Sequence, residues 1–148
     1  MSDGRKTAEQ VLADTGVWVS TTSGHSMKPM LHDRRDTVTV RPAAGRLRRY
    51  DVALYRAGGR LVLHRVVRVL PDGYRIRGDH CDFTERVADE QILGVLTQFT
   101  RNGRRVDAQD RRYRAYAAVW NALYPIRWVW RKLTRASGKL FRVIVPKK

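Results

Sequence analysis

A short segment at residues 23–31, "SGHSMKPML", contains the first residues that could do chemistry. Ser26 stands between His25 and Met27, with Gly24 before it and a proline after it. The glycine and the proline interrupt any regular helix or strand, so the segment predicts a turn. A solvated surface turn would not need its apolar side chains. One interpretation of the segment is a nucleophilic serine on a turn with main-chain N–H groups exposed beside it, which requires that the rest of the chain supply a base.

A serine hydroxyl needs a base to become a good nucleophile, and the sequence contains four histidines. His25 is adjacent to Ser26, and neighbouring side chains on an extended segment point apart. His32 follows the same turn, and His80 follows a glycine and an aspartate. His64 lies in "LVLHRVVRV", an apolar strand-like run where a titratable ring is unexpected. Two interpretations of His64 stay open from position alone, a satisfied core side chain or a general base.

Asp79 follows Gly78 in "RGDH" and offers a third member for such a site. An aspartate that bonds to the far nitrogen of a histidine orients the ring and stabilises its cation. An aspartate after a glycine also commonly closes a turn. Neither role of Asp79 is favoured by position alone.

Five segments in this order resemble the type I signal peptidases and the LexA-like self-cleaving proteases. They are "SGHSMKPML", "DTVTV", "YDVALYR", "LHRVVRV" and "RGDH", which fall within residues 18–100. The resemblance implies that Ser26, before a methionine, is the nucleophile. It also implies that His64, followed by Arg65, replaces the lysine of the bacterial Lys–Arg dipeptide, as in the endoplasmic-reticulum and archaeal-type branch. In that branch the aspartate of a Gly–Asp box supports catalysis, and Asp79 matches it.

The sequence departs from the family pattern in several places. Family members usually have glycine before the aspartates that match Asp36 and Asp51, where this chain has Arg35 and Tyr50. His80 stands where an asparagine usually follows the Gly–Asp box. Only 22 residues precede the serine segment, so we expect no N-terminal membrane anchor of the kind the family has. No catalytic group is lost, and without such an anchor we do not expect a secretory role.

The resemblance implies peptide-bond hydrolysis through a serine acyl-enzyme. Ser26 would attack the carbonyl carbon, and His64 would accept the proton and return it to the leaving amine. Asp79 would orient His64. For the oxyanion hole we expect the N–H of Ser26, together with the N–H of His25 or the hydroxyl of Ser23. Such donors contribute about 3–4 kcal/mol each in comparable sites.

The expected substrate is a peptide or protein that binds as an added β-strand, with small residues before the cleaved bond, as in the family. Met27 belongs to the predicted substrate-binding set, although we expect it and Leu31 to pack mainly beneath the turn. No cofactor and no metal are predicted. Cys81 is the single cysteine, so it excludes an internal disulfide and offers no zinc-binding spacing.

The remaining sequence predicts the elements that position these residues. A short helix is predicted at residues 5–15 and a strand in "GVWVSTT". Five or six short strands follow from Asp36 to Val106, separated by turn signals such as "AGG", "PDG" and "RNG". The predicted fold class is mainly β, a small LexA/signal-peptidase-like β domain with a C-terminal amphipathic helical tail. The predicted boundaries are 1–17 for a lead-in, 18–106 for the peptidase core and 107–148 for the tail.

The tail is far more basic and aromatic than the rest of the chain. The formal net charge is +16, and residues 111–148 contain 11 Lys or Arg and no acid. Apolar residues recur at helical spacing in two stripes, Tyr113, Tyr116 and Trp120, and then Ile126, Val129, Trp130 and Leu133. Three interpretations are open: a helix packed on the β domain, a foot on an anionic membrane surface, or a nucleic-acid contact. We favour the membrane foot, since no RNA-binding signature or zinc finger supports nucleic acid.

Two functions of different classes follow from these patterns. The first is a serine endopeptidase that removes a leader or signal-like segment from a peptide or protein. The second is a non-catalytic basic binding module that keeps the same fold. A self-cleaving repressor is disfavoured, because the upstream residues are too few for a helix-turn-helix and contain no Ala–Gly or Cys–Gly pair. Without a signal-peptide core or a long apolar run, we expect a cytoplasmic protein attached peripherally to the inner face of the membrane.

Overall fold

The computed structural model describes the backbone of residues 6–144 and the side chains of residues 6–136. This part of the chain contains three α-helices, eight β-strands and one short 3-10 turn. In chain order they are α1 (Ala8–Thr15), β1 (Trp18–Thr21), β2 (Thr37–Arg41), β3 (Val52–Ala57), β4 (Arg60–Leu70), β5 (Gly73–Arg77), β6 (Glu85–Ala88), the 3-10 turn (Asp89–Gln91), β7 (Ile92–Arg101), β8 (Arg104–Asp107), α2 (Arg111–Ala122) and α3 (Tyr124–Ile144).

The eight strands form one antiparallel sheet that curls into a half-barrel. Their order is β1–β2–β7–β3–β4–β5–β6, and β8 also pairs with β7. The prediction of a mainly β domain followed by a helical tail is therefore confirmed. From β2 to β8 there are seven strands rather than the predicted five or six. The additional strand is β6, which is four residues long and half charged, so it carries a weak apolar signal.

A tight turn between β3 and β4 sets the register of these two strands. Gly58 and Gly59 join β3 to β4 with left-handed φ values of 54° and 75°. Two residues with positive φ make a turn that matches the twist of a hairpin, so the predicted turn is confirmed. The resulting register pairs Ala53 with His64. His64 therefore lies on the same face of the hairpin as Ala53.

The turn before Asp51 is made without glycine, as the sequence requires. Tyr50 adopts a left-handed φ of 75°. The carboxylate of Asp51 accepts a 2.8 Å hydrogen bond from the N–H of Arg48 and forms a 2.9 Å ion pair with Arg114. These contacts stabilise a backbone conformation that most residues avoid.

Apolar side chains fill both faces of the sheet. The helix-side core lies between the serine turn, the sheet and α2, and its buried members are Met27, Met30, Leu31, Val38, Val52, Leu96, Phe99, Ala108 and Tyr113. The hairpin-side core lies on the opposite face of β3 and β4, and its buried members are Leu47, Ala53, Tyr55, Val66, Tyr74, Ile76 and Val87. Because successive strand residues point to opposite faces, His64 faces the hairpin-side core and Arg65 the helix-side core.

The two stripes of the tail have different environments. In α2, Tyr113 is buried and its ring meets that of Phe99 edge-on at 5.1 Å between centroids, so this helix packs on the β domain. In α3 the second stripe is exposed, at 67% for Ile126, 48% for Val129, 69% for Trp130 and 62% for Leu133. Within the described residues, no helix combines the length and the apolar character needed to cross a bilayer.

Candidate active site

Ser26 lies on the turn between β1 and β2, and apolar side chains hold this turn against the sheet. Met27 and Leu31 are 5% and 2% exposed, so their predicted packing is confirmed. Gly24 takes a left-handed φ of 93°, and its N–H donates a 2.8 Å hydrogen bond to Asp33. Ser26 itself remains partly exposed. The turn thus presents the serine at the surface on a well-anchored support.

Gly78 marks the place where Ser26 and His64 come together. A Cβ at this glycine would lie 2.7 Å from the carbonyl oxygen of Ser26 and 3.0 Å from Nε2 of His64. The N–H of His80 donates a 2.8 Å hydrogen bond to the same carbonyl oxygen. The Gly–Asp box therefore packs directly on the serine turn. Glycine is required at residue 78, because any side chain would displace the serine backbone or the histidine ring.

The reactive atoms of Ser26 and His64 are not engaged elsewhere in the described part of the chain. Neither Oγ of Ser26 nor Nε2 of His64 makes a hydrogen bond to any residue whose side chain is described. In unliganded enzymes the hydrogen bond between nucleophile and base is often long and tightens when substrate binds. Both atoms are thus free to act on a substrate.

Main-chain donors stand beside the serine. Within the described residues, the N–H groups of His25 and Ser26 donate to no other group. Unpaired N–H groups next to a nucleophile are suitable donors for a developing oxyanion. The hydroxyl of Ser23 lies on the same turn and lines the adjoining groove. The roles of His25, Ser23 and the N–H of Ser26 in an oxyanion hole stay predictions.

An apolar groove of about 240 Å³ adjoins Ser26. Ser23 and Met27 line its near side, and Leu54, Leu61 and Leu63 line its far side. Strand β1 borders the groove, and among the described strands it pairs with β2 alone, so its other edge has no partner strand in the described part of the chain. A peptide in extended conformation could pair with such an edge and place one side chain in the groove.

His64 is held by Tyr55, which is in turn held by Glu85. Nδ1 of His64 lies 3.2 Å from the hydroxyl of Tyr55, and this hydroxyl donates a 2.6 Å hydrogen bond to Oε2 of Glu85. The rings of Tyr55 and His64 meet edge-on, with centroids 6.2 Å apart. Tyr55 and His64 are 0% and 7% exposed. The ring of His64 is therefore fixed by a buried tyrosine and a carboxylate.

Asp79 bonds to Arg65 and not to His64, in contrast to the orienting role predicted from the sequence. Both of its carboxylate oxygens accept hydrogen bonds of 2.7 Å from the guanidinium of Arg65. Both side chains are buried. The physical reason is strand alternation, since His64 and Arg65 point to opposite faces of β4 and Asp79 lies on the arginine side. Asp79 also does not merely cap a turn, because it neutralises a buried cation.

Burial lowers the pKa of His64, while the charges of Glu85 and, to a smaller extent, Asp79 act to raise it. The net shift is downward from 6.5. His64 is therefore neutral at pH 7 and able to accept a proton.

The exposed stripe of α3 reaches the serine segment from the other side. A second groove, of about 510 Å³, lies between them. Lys28, Pro29 and His80 line it from the serine turn and the Gly–Asp box, and Ile126 and Trp130 line it from α3. The apolar surface of α3 is thus continuous with the surroundings of the candidate nucleophile.

Sequence reasoning missed Tyr55, Glu85 and the pairing of Arg65. Tyr55 could have been found from the two-residue turn of the hairpin, because that turn fixes which residues of β3 and β4 share a face. Glu85 had no comparable signal, since it lies in a short strand that reaches the site only through the pairing of β5 with β6. The need of Arg65 for an acidic partner had a signal, because apolar residues surround it in "LVLHRVVRV" and a buried cation requires a counter-charge.

In the described part of the chain, no cluster of three or more His, Cys, Asp or Glu side chains could hold a metal ion. Comparison of the whole sequence with protein-family models and with curated proteins finds no match in either set.

Proposed function

We propose that this protein is a serine endopeptidase that cleaves a leader or signal-like segment from a peptide or protein. The observation that carries the proposal is the meeting of the Ser26 turn with the ring of His64 at Gly78. Nucleophilic catalysis needs a neutral histidine close to a serine hydroxyl that is not bonded elsewhere. His64 is neutral and buried, the main chain of Ser26 lies close to its Nε2, and Oγ of Ser26 is unbonded within the described residues. The resemblance of the segments around these residues to signal peptidases supports the same reaction.

The proposed reaction uses two residues in two steps. Oγ of Ser26 forms a bond to the carbonyl carbon of the substrate while its proton moves to Nε2 of His64. The carbon–nitrogen bond then breaks, and His64 passes that proton to the leaving amine. A water molecule then adds to the ester carbon while its proton moves to Nε2 of His64. The bond between this carbon and Oγ breaks, the acid product leaves, and His64 returns the proton to Oγ of Ser26. The N–H groups of His25 and Ser26 would hold the oxyanion in both steps.

The groove and the free edge of β1 support an extended peptide as the substrate. The small groove volume, about 240 Å³, favours a modest apolar side chain next to the cleaved bond. Ser23 and Met27, which line this groove, would contact that residue. A preference for small residues before the cleaved bond, as in signal peptidases, belongs to the same proposal.

A peptide library tests the proposed activity directly. Purified protein and the variants Ser26→Ala and His64→Ala are incubated with the library, and the cuts are mapped by mass spectrometry. Arg104→Ala, which removes an exposed side chain at the turn between β7 and β8, serves as the control. Cuts by the wild type and the control that both site variants lose support the proposal. Absence of cuts, or equal cuts by all four proteins, would refute it and favour the basic binding module.

We also propose that α3 attaches the protein to an anionic membrane surface. Its exposed stripe includes Trp130, and indole rings prefer the headgroup region of a bilayer. Lys132 and Arg135 flank the stripe and are exposed. Each basic side chain near an anionic surface contributes about 1 kcal/mol, so the charge of the tail complements such a membrane. This attachment would be peripheral, and it would place the candidate site close to the bilayer.

Vesicle flotation tests the membrane attachment. The full chain is mixed with phosphatidylserine-rich or pure phosphatidylcholine vesicles, and the variants Trp130→Glu and Leu133→Glu are compared with Val69→Ala. Val69 is an exposed apolar residue of β4, outside α3. We expect the wild type and Val69→Ala to float only with the anionic vesicles, and the two α3 variants to stay unbound. Wild-type protein that remains unbound, or four proteins that float equally, contradicts the attachment.

A further inference from the structure

We propose that Tyr55 and Glu85 position His64 as the general base, in place of the aspartate expected from the sequence. His64 donates its Nδ1–H to the hydroxyl oxygen of Tyr55, and Tyr55 donates its own proton to Glu85. The inference rests on the proposed function, because it assigns roles within the same site. It names two positioning residues, neither of which touches the reacting atoms.

The count of protons determines which nitrogen of His64 is protonated. A tyrosine hydroxyl has one proton, and an ionised carboxylate can only accept hydrogen bonds. The 2.6 Å hydrogen bond to Glu85 therefore uses the proton of Tyr55. Because the tyrosine proton is used there, the hydrogen of the 3.2 Å contact between the Tyr55 oxygen and Nδ1 of His64 must come from Nδ1. Nε2 keeps a free lone pair, as a base that takes the proton of Ser26 requires.

The fold holds this arrangement rigidly. Tyr55 and His64 lie on the same face of the β3–β4 hairpin, where Ala53 pairs with His64 and Tyr55 pairs with Val62. Glu85 arrives from β6, which is attached through β5. Tyr55 is 0% exposed, so its hydroxyl is shielded from bulk solvent. The ring of His64 is thereby aimed with Nε2 toward Gly78 and the serine turn.

The charge of Glu85 favours the cation that forms during the reaction. When His64 takes up the proton of Ser26, its Nδ1–H points through Tyr55 toward the carboxylate, which stabilises the positive ring. Burial and the neighbouring Glu85 raise the pKa of Tyr55, so its hydroxyl stays protonated and passes no proton on. The other titratable groups near the ring are Asp79, which is paired with an arginine, and the thiol of Cys81.

Two variants and a matched control separate positioning from structure. Tyr55→Phe removes the acceptor of Nδ1, and Glu85→Gln removes the charge. Tyr74→Phe removes another buried hydroxyl of the hairpin-side core, one that bonds to the N–H of Leu47 and not to His64. Nitrogen NMR of the full chain reports which ring nitrogen of His64 is protonated and the pH midpoint of its titration. Peptide cleavage as a function of pH gives kcat and KM for the same variants.

We expect the wild type and Tyr74→Phe to show Nδ1–H and a free Nε2 at neutral pH. Tyr55→Phe should lose this preference and lower kcat by about ten- to a hundredfold with KM unchanged, the range found when the hydrogen-bond partner of a metal-binding histidine is removed. Glu85→Gln should move both the NMR midpoint and the acid limb of kcat to lower pH. A protonated Nε2 in the wild type, or variants that match Tyr74→Phe in midpoint and kcat, would overturn the inference. If the NMR results are as expected but no protein cleaves any peptide, the positioning of His64 is upheld and the proposed function fails.

Discussion

Replacing Asp79 by alanine leaves the guanidinium of Arg65 buried without a counter-charge. In the folded protein the two side chains are 0% and 1% exposed and share two hydrogen bonds of 2.7 Å. Removing one partner of a buried ion pair costs about 3–5 kcal/mol, because the remaining charge stays desolvated. Arg65 also donates to the carbonyl oxygen of Tyr50 and the hydroxyl of Tyr113, and these contacts keep it from reaching solvent. We therefore expect Asp79→Ala to lower the free energy of unfolding by an amount in this range.

Urea unfolding at pH 7, followed by circular dichroism, measures this change. The control is Asp72→Ala, which breaks an ion pair with Arg86 in which both side chains are 66% exposed. Exposed pairs contribute little, so the control should unfold almost as the wild type does. A loss of less than about 1 kcal/mol for Asp79→Ala would refute the buried-charge reasoning. Loss of cleavage with unchanged stability would instead return Asp79 to the role of orienting His64.

Three further predictions follow from the geometry. Gly78→Ala would place a Cβ 2.7 Å from the carbonyl oxygen of Ser26 and 3.0 Å from Nε2 of His64. We expect this variant to lose peptide cleavage and its free energy of unfolding to fall by about 1–3 kcal/mol. A variant with wild-type cleavage and wild-type stability in urea would contradict this. Gly103→Ala, at a φ of 76° with open space around it, should cost about 1 kcal/mol by backbone strain alone and leave cleavage unchanged. Burial lowers the pKa of His64 below 6.5, and the base must be neutral to act. The acid limb of kcat/KM, measured as a function of pH, should therefore have its midpoint below pH 6.5. A midpoint at or above that value would contradict the assignment of His64 as the base.

The local conformation could be predicted because it depends on neighbours in the chain. Alternating Val and Thr residues indicated β2, and the paired glycines at residues 58 and 59 indicated the hairpin that carries His64. The glycine and the apolar side chains around Ser26 indicated an anchored turn, and the exposure of Ser26 with burial of Met27 agrees with it. A two-residue turn fixes which residues of β3 and β4 pair with each other. The face of the hairpin on which His64 lies could therefore also be predicted from the sequence.

The partner of each charged group depended on tertiary structure. The family resemblance implied Asp79 as the partner of His64. Alternation along β4 turns His64 and Arg65 to opposite faces, and the carboxylate of Asp79 pairs with Arg65. The residues that hold His64 instead come from β3 and β6, and β6 reaches the site only because it pairs with β5 in the curled sheet. The sequence by itself thus determined the turns and the strands, since these follow from local periodicity and turn chemistry. The choice of Ser26 and His64 as the candidate serine and histidine came from the family resemblance. Which carboxylate faces which cation was decided by the packing of distant strands, because buried charges take the partner that the sheet brings within hydrogen-bond distance.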